Sequence, residues 1–192
     1  MITLSEIAKL GTRLTRGILL VVVLVVTPAT VVADEAVLDG LFAELQDPAN
    51  ADWKATEEQI WKEWSRSGSR AMDLLLERGR SAMAAGDYEA TVEHLSALID
   101  HAPEFAEGWN ARATAFYLMD QYGLSMADIQ QTLALNPRHF GAMSGLGAIL
   151  EQTGRVKYAR TVYTKALQVR PPQPGVIEAV ERLRAEVGGT TL

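Results

Sequence analysis

The chain has 192 residues, 48% of them apolar and 22% charged, which fits a globular domain large enough to bury a core. Its net charge of -6 argues against a nucleic-acid surface. With no cysteine, disulfides, thiolate metal sites, a cysteine nucleophile and a lipidated cysteine are excluded.

Residues 1–33 have the order of a secretory signal. Lys9, Arg13 and Arg16 precede an unbroken apolar run from Ile18 to Val26. Pro28 breaks the run, and Val31, Val32 and Ala33 stand before a cleavage point after about Ala33. The run is too short for a comfortable span of about 20 residues. The expectation is a cleaved signal peptide; the alternative is an uncleaved anchor, the one way the sequence offers a membrane contact.

Residues 34–71 read as a degenerate helical hairpin. Val37, Leu38, Leu41, Phe42 and Leu45 form an amphipathic stripe that stops near Asp47-Pro48. Asp52 is placed to cap a second helix carrying Trp53, Ile60, Trp61 and Trp64, which ends over Ser65–Ser69 with Gly68. Three of the four tryptophans lie here, and they are expected to cover the exposed end of the helical stack formed by residues 72–173. An aromatic contact surface for a partner is the other reading.

From Met72 a period appears. Pro103, Pro137 and Pro171 stand 34 residues apart, as do Gly79, Ala113 and Gly147, and Thr91, Ser125 and Ala159. A period of this length marks stacked helix–turn–helix units, here 72–105, 106–139 and 140–173, each with two helices of about 14 residues. In the first unit, Gly86 closes one helix, Asp87 caps the next and Tyr88 packs back. Asp120-Gln121-Tyr122 and Gly154-Arg155-Val156 hold the same place in the other two. The small residues at the 34-residue marks let the two helices of a unit approach closely. Beyond Pro171, residues 174–187 form an amphipathic helix with Val176, Ile177, Val180 and Leu183 on its apolar face. It reads as the capping helix that ends the stack, followed by a frayed tail over 188–192.

These motifs resemble the tetratricopeptide repeat (TPR) family. Trp109 and Leu146-Gly147 match its first-helix signature, Gly86-Asp87-Tyr88 its turn, and Ala159, Tyr163, Ala166 and Pro171 its closing half. Arg78 and Arg112 stand where the family has leucine, and Leu98 and Thr132 where it has alanine. Arginines in a packing layer must pair with acids or snorkel. With its signal-like start, Ile60-Trp61-Lys62-Glu63-Trp64, Glu107-Gly108-Trp109-Asn110-Ala111-Arg112-Ala113 and Pro137-Arg138-His139-Phe140-Gly141-Ala142, the chain is similar to small exported TPR proteins of alphaproteobacteria. The resemblance implies an all-α, right-handed superhelical solenoid of helix–turn–helix hairpins, and a periplasmic location. If the first segment stays uncleaved, the chain would be anchored in the inner membrane facing the periplasm.

No constellation demands catalysis. The histidines, His94, His101 and His139, have no partners at metal-ligand spacing, no serine sits in a G-x-S-x-G turn, and Gly145-Leu146-Gly147 falls inside a helix. No enzyme activity, metal or cofactor is therefore expected. In the TPR family the first helices of successive units line a concave groove that holds peptides. By register that face carries Asp73, Leu76, Arg80 and Met83, then Asn110, Thr114, Tyr117 and Leu118, then Gly141, Ser144, Ala148 and Glu151. Asn110 could bond a peptide backbone, Tyr117 offers a stacking surface, and Arg80 could hold a carboxylate. The positions at which some TPR domains clamp a chaperone C-terminus with Lys and Asn carry Leu76, Arg80, Ala111, Gly141 and Gly145, so that mode is not expected. The implied role is a non-catalytic interaction module or scaffold for a protein or peptide segment. A self-associating component of an envelope assembly, with Trp53, Trp61 and Trp64 in its interface, is the alternative.

Overall fold

The computed structural model describes residues 35–189. The predicted signal segment lies outside them, as do residues 190–192 of the predicted tail. The described residues form nine helices and no strand. They are α1 (Glu35–Gln46), α2 (Trp53–Trp64), α3 (Arg70–Ala84), α4 (Tyr88–His101), α5 (Ala106–Leu118), α6 (Tyr122–Leu135), α7 (Phe140–Gln152), α8 (Val156–Val169) and α9 (Pro174–Gly189). The last of these carries two residues of the predicted tail, Gly188 and Gly189, inside a helix.

Three hairpins, α3–α4, α5–α6 and α7–α8, stack in order, and each second helix packs on the first helix of the next. The first helices also touch one another directly, α3 with α5 and α5 with α7. That row is the inner side of the stack, with α4, α6 and α8 outside. Each turn uses one left-handed residue in the same register: Gly86 (φ 78), Asp120 (φ 56) and Gly154 (φ 73). Aspartate is among the few non-glycine types that tolerate this conformation. The Asp87 carboxylate accepts from the Ala90 amide at 3.0 Å, closing the start of α4. Asp52 stands before α2 without such a side-chain cap bond.

The close approaches within hairpins have a steric cause. A Cβ added to Gly79 would lie 2.7 Å from Leu95, and one at Gly147 would collide with the Tyr163 ring. Thr91, Ser125 and Ala159, one turn away, are fully buried. The Ser125 hydroxyl is satisfied by donating to the Ala113 carbonyl at 2.7 Å. Arg112 pairs as its position requires. Its Nε and Nη2 donate to the two Asp128 oxygens at 2.7 and 2.9 Å, and its plane lies 5.1 Å from the Trp109 ring centroid. Arg78 is exposed instead.

At the C-terminal end α9 packs on α8 with Ala179 and Leu183 buried against Ala159, Tyr163 and Leu150. Ile177, expected on the apolar face, is 44% exposed. The face that docks is the one through Val176, Ala179, Val180 and Leu183.

Candidate functional site

The hairpin α1–α2 does not cover the end of the stack. Leu38, Leu41, Phe42 and Leu45 are buried as the apolar stripe predicts, with Val37 left exposed. Together with Ile60 and Trp64 they form one core whose further members, Phe140 and Val169, belong to the third repeat. Trp61 and Trp64 therefore meet α7, and Trp53 lies beside Arg170 after α8, instead of covering the end of the stack.

The path of α2 follows from its contacts in order. Near its start, Glu57 pairs with Arg170 at the end of α8. One turn on, the Trp61 ring lies over Gly141, where an added Cβ would stand 2.6 Å from the ring. Trp64 stacks on the His139 ring at 4.4 Å between centroids and lies 5.0 Å from Phe140. Beyond the helix end, the Ser65 hydroxyl accepts from Arg80 of α3 at 3.0 Å. The Ser67 amide and hydroxyl donate to Asp73 at 2.9 and 2.6 Å. Asp73, Arg80 and Gly141 are inner-face positions in the repeat register. The second helix of the hairpin thus crosses the inner face, from the third repeat back to the first.

Beneath it lies a buried polar cluster that joins all three repeats. Glu107 of α5 is 3% exposed and receives Arg80 Nη2 at 2.6 Å. His139 is fully buried, and its Nδ1 accepts from the Ala142 amide at 3.1 Å, capping α7. That bond places the ring proton on Nε2, which donates to the other Glu107 oxygen at 2.9 Å. Glu107 escaped the sequence reading although it stands in register between Asp73 and Gly141.

The remaining groove candidates divide. Leu76 is 2% exposed and packs with Leu95, Leu98 and Ile99. It also forms part of the wall of a cavity of about 410 Å³ beside Asp73 and Arg80. Ser144 Oγ lies 2.9 Å from the Phe140 carbonyl and 3.1 Å from Gln173 Oε1. Glu151 is taken by Arg182 of α9 at 2.6 Å. Asn110 reaches Glu107 only through long contacts of 3.3 and 3.4 Å. Tyr117 is half-buried beside Tyr122, Met83 and Ala148 are half-buried, and Thr114 and Leu118 are exposed. The inner side of α5 from Asn110 to Leu118 is thus a part of the inner face that α2 leaves open.

A larger cavity, about 670 Å³, lies between the C-terminal end of α2 and the loops that follow α4 and α6. Arg66, His101, Glu104, Glu107 and Arg138 supply its polar walls. Among the described residues no group of three or more His, Asp or Glu could hold a metal ion. No helix among them is long and apolar enough to cross a membrane.

The profile of the tetratricopeptide repeat matches residues 76–124 and 119–174. This chain belongs to the tetratricopeptide repeat family. A TPR repeat-containing protein of Rhizobium etli is 35% identical to it over 155 residues, covering 79% of this chain and 75% of that one. Among solved structures, the first TPR of Spaghetti (RPAP3) bound to an HSP90 peptide has a TM-score of 0.60 at 19% identity. It covers 62% of this chain and 98% of its own. MamA has a TM-score of 0.58 at 18% identity, over 72% of this chain and 85% of that one. At these identities the solved structures bear on the fold alone, and they agree with a TPR solenoid.

Proposed function

We propose that the chain is an exported, non-catalytic interaction module that holds a protein or peptide segment on the inner face of its TPR stack. One observation carries this reading: the inner face already holds a helix. With α2 across it, aromatic rings meet Gly141 and His139, and polar groups meet Arg80. A face that seats an amphipathic segment of its own chain has the shape and chemistry for such segments. The RPAP3 domain was solved bound to an HSP90 peptide, so a related fold holds a peptide. The Lys/Asn chaperone clamp is not part of the proposal, because Gly141, one of its positions, lies under Trp61. Export rests on the basic-then-apolar order of residues 1–33.

The open part of the face, around Asn110 and Tyr117, is the assigned contact. Crosslinking in intact cells followed by mass spectrometry should yield a partner of the wild-type chain. Asn110→Ala with Tyr117→Ala should abolish that crosslink. Full retention by the double variant overturns the assignment.

A further inference from the structure

The contact between α1–α2 and the third repeat has the composition of a receptor with a ligand in place. The body supplies Phe140, the bare backbone of Gly141, and two guanidinium groups. The hairpin supplies four rings and two carboxylates. Phe42, Trp61 and Trp64 surround Phe140 at 6.5, 5.4 and 5.0 Å between centroids. Asp39 pairs with Arg138 at 2.5 Å, and Glu57 with Arg170. Each guanidinium also lies over a ring, Arg138 at 4.5 Å from Phe42 and Arg170 at 5.3 Å from Trp53.

Two features set this contact apart from the stacking of one repeat on the next. The hairpin joins the body through the short segment 65–69, where Gly68 takes φ 79, a conformation that lets the chain turn sharply. The contact is also polar and incompletely satisfied. Arg170 Nε is buried with no hydrogen-bond partner among the described residues, although Nη2 of the same group meets Glu57. Permanent cores rarely leave such an atom. Contacts between parts of a chain that separate are more polar than obligate ones.

We propose that α1–α2 is a displaceable intramolecular occupant of a docking surface built by Arg138, Phe140, Gly141 and Arg170. When the hairpin swings out, that surface takes an acidic segment of a partner protein with two aromatic side chains one helical turn apart. The inference rests on the reading of the chain as an interaction module and gives its partner a chemistry. Two arginines ask for carboxylates, and an exposed ring beside a residue without Cβ asks for a flat ring. The tethered hairpin competes at an effective concentration in the millimolar range, so the unmodified chain holds such a partner weakly.

The test uses the full chain and a labelled synthetic peptide spanning residues 52–66, with binding read by fluorescence anisotropy. Asp39→Arg with Glu57→Arg sets like charges against Arg138 and Arg170 and opens the hairpin. Amide exchange should then show α2 unprotected while α3–α8 stay protected, and the peptide should bind at least about tenfold tighter than to the wild-type chain. A peptide carrying Trp61→Ala and Trp64→Ala should lose that binding. In a second variant, Arg170→Glu, the native peptide should fail and a peptide carrying Glu57→Arg should bind. The proposal is overturned if α2 stays as protected as the repeats, or if the opened chain binds the native and tryptophan-free peptides alike. Light scattering at twice the chain mass in the wild-type chain also overturns it, since a second copy's hairpin would then be the occupant. A failed peptide test alongside a crosslink lost on Asn110→Ala with Tyr117→Ala removes this inference and leaves the module reading standing.

Discussion

At the C-terminal end, α9 stays in register with the repeats. Pro174 lies 34 residues after Phe140, Gln173 stands where His139 and Phe105 stand, and the helix packs on α8 as a fourth first helix would. At the N-terminal end, α2 leaves the register, starts beside the third repeat and runs back across the inner face to the first. The two contacts differ in kind. The α9 contact is made mainly by aliphatic side chains, Leu150, Val176, Ala179, Val180 and Leu183, with Tyr163 beside them. The α2 contact combines stacked rings with charge pairs. Aliphatic packing in register closes a stack through area, which is non-directional. Rings and guanidinium groups close a contact through geometry, and such a contact is specific for its occupant.

The largest effect expected is at the aromatic end. Trp64 is 7% exposed and touches Phe42, Trp61, His139 and Phe140. Trp64→Ala should cost about 3–5 kcal/mol. If the hairpin is a separable unit, that loss is confined to α1–α2. Hydrogen exchange should then show their amides opening while α3–α9 keep wild-type protection. A uniform loss along the whole chain would mean the two ends are parts of one cooperative core, and the contrast between them would fail.

Somewhat smaller is the loss at the in-register end. Leu183 is fully buried among Tyr163 and its aliphatic neighbours. Leu183→Ala should cost about 2–4 kcal/mol, read as a lower denaturation midpoint. Here α9 and then α8 should lose protection first, as in a one-dimensional stack that unravels from its end. Protection of α2 should fall with α8, because Val169 and Arg170 form part of its seat. The asymmetry is itself a check: opening the hairpin leaves α9 in place, whereas opening α8–α9 undermines the hairpin.

The sequence showed the stack far better than the site. Side chains that recur at 34 residues feel the same neighbours in every unit, so the period placed the turns and the small contact residues, and the family resemblance marked Arg78 and Arg112 as arginines that must pair or snorkel. The docking of α2 is not local information. Nothing in Trp61-Lys62-Glu63-Trp64 says which of three equivalent surfaces it meets. The choice follows from the first two positions of each unit, which are Met72-Asp73, Ala106-Glu107 and Phe140-Gly141. The third pair supplies both a ring to pack on and no Cβ where Trp61 must lie. A comparison of the three pairs would have pointed there only once the hairpin was known to seek an inner surface. Glu107 was within reach, because its register marks it as inner and a lone carboxylate there needs partners. His139 was harder to read, since its burial depends on the ring that Trp64 brings.

The smallest effect is one of pH, and it separates the ends without altering stability near neutrality. Tyr163 is buried between α7 and α9, and its hydroxyl lies 3.4 Å from Glu151 Oε2. Burial first, and the Glu151 charge second, push its pKa from the ordinary 10.0 up to about 12. The folded chain therefore holds the neutral phenol, while the unfolded chain ionises it near 10. The contribution is fully present below pH 10 and is lost as the pH rises towards about 12, because the unfolded state then binds fewer protons than the folded one. A titration followed by phenolate absorbance should show a late-ionising component that is missing in Tyr163→Phe, apart from that of Tyr122, which its hydrogen bond to Asp120 also raises. Glu151→Gln should bring its midpoint part of the way down, leaving the share that burial causes. Leu183→Ala, by loosening α9, should lower it as well. Trp64→Ala should leave it where it is, since the hairpin can depart without uncovering the α7–α9 contact. A midpoint that moves in Trp64→Ala as far as in Leu183→Ala would show that the aromatic and aliphatic ends are coupled through the stack, and the hairpin would then be part of the solenoid rather than a ligand upon it.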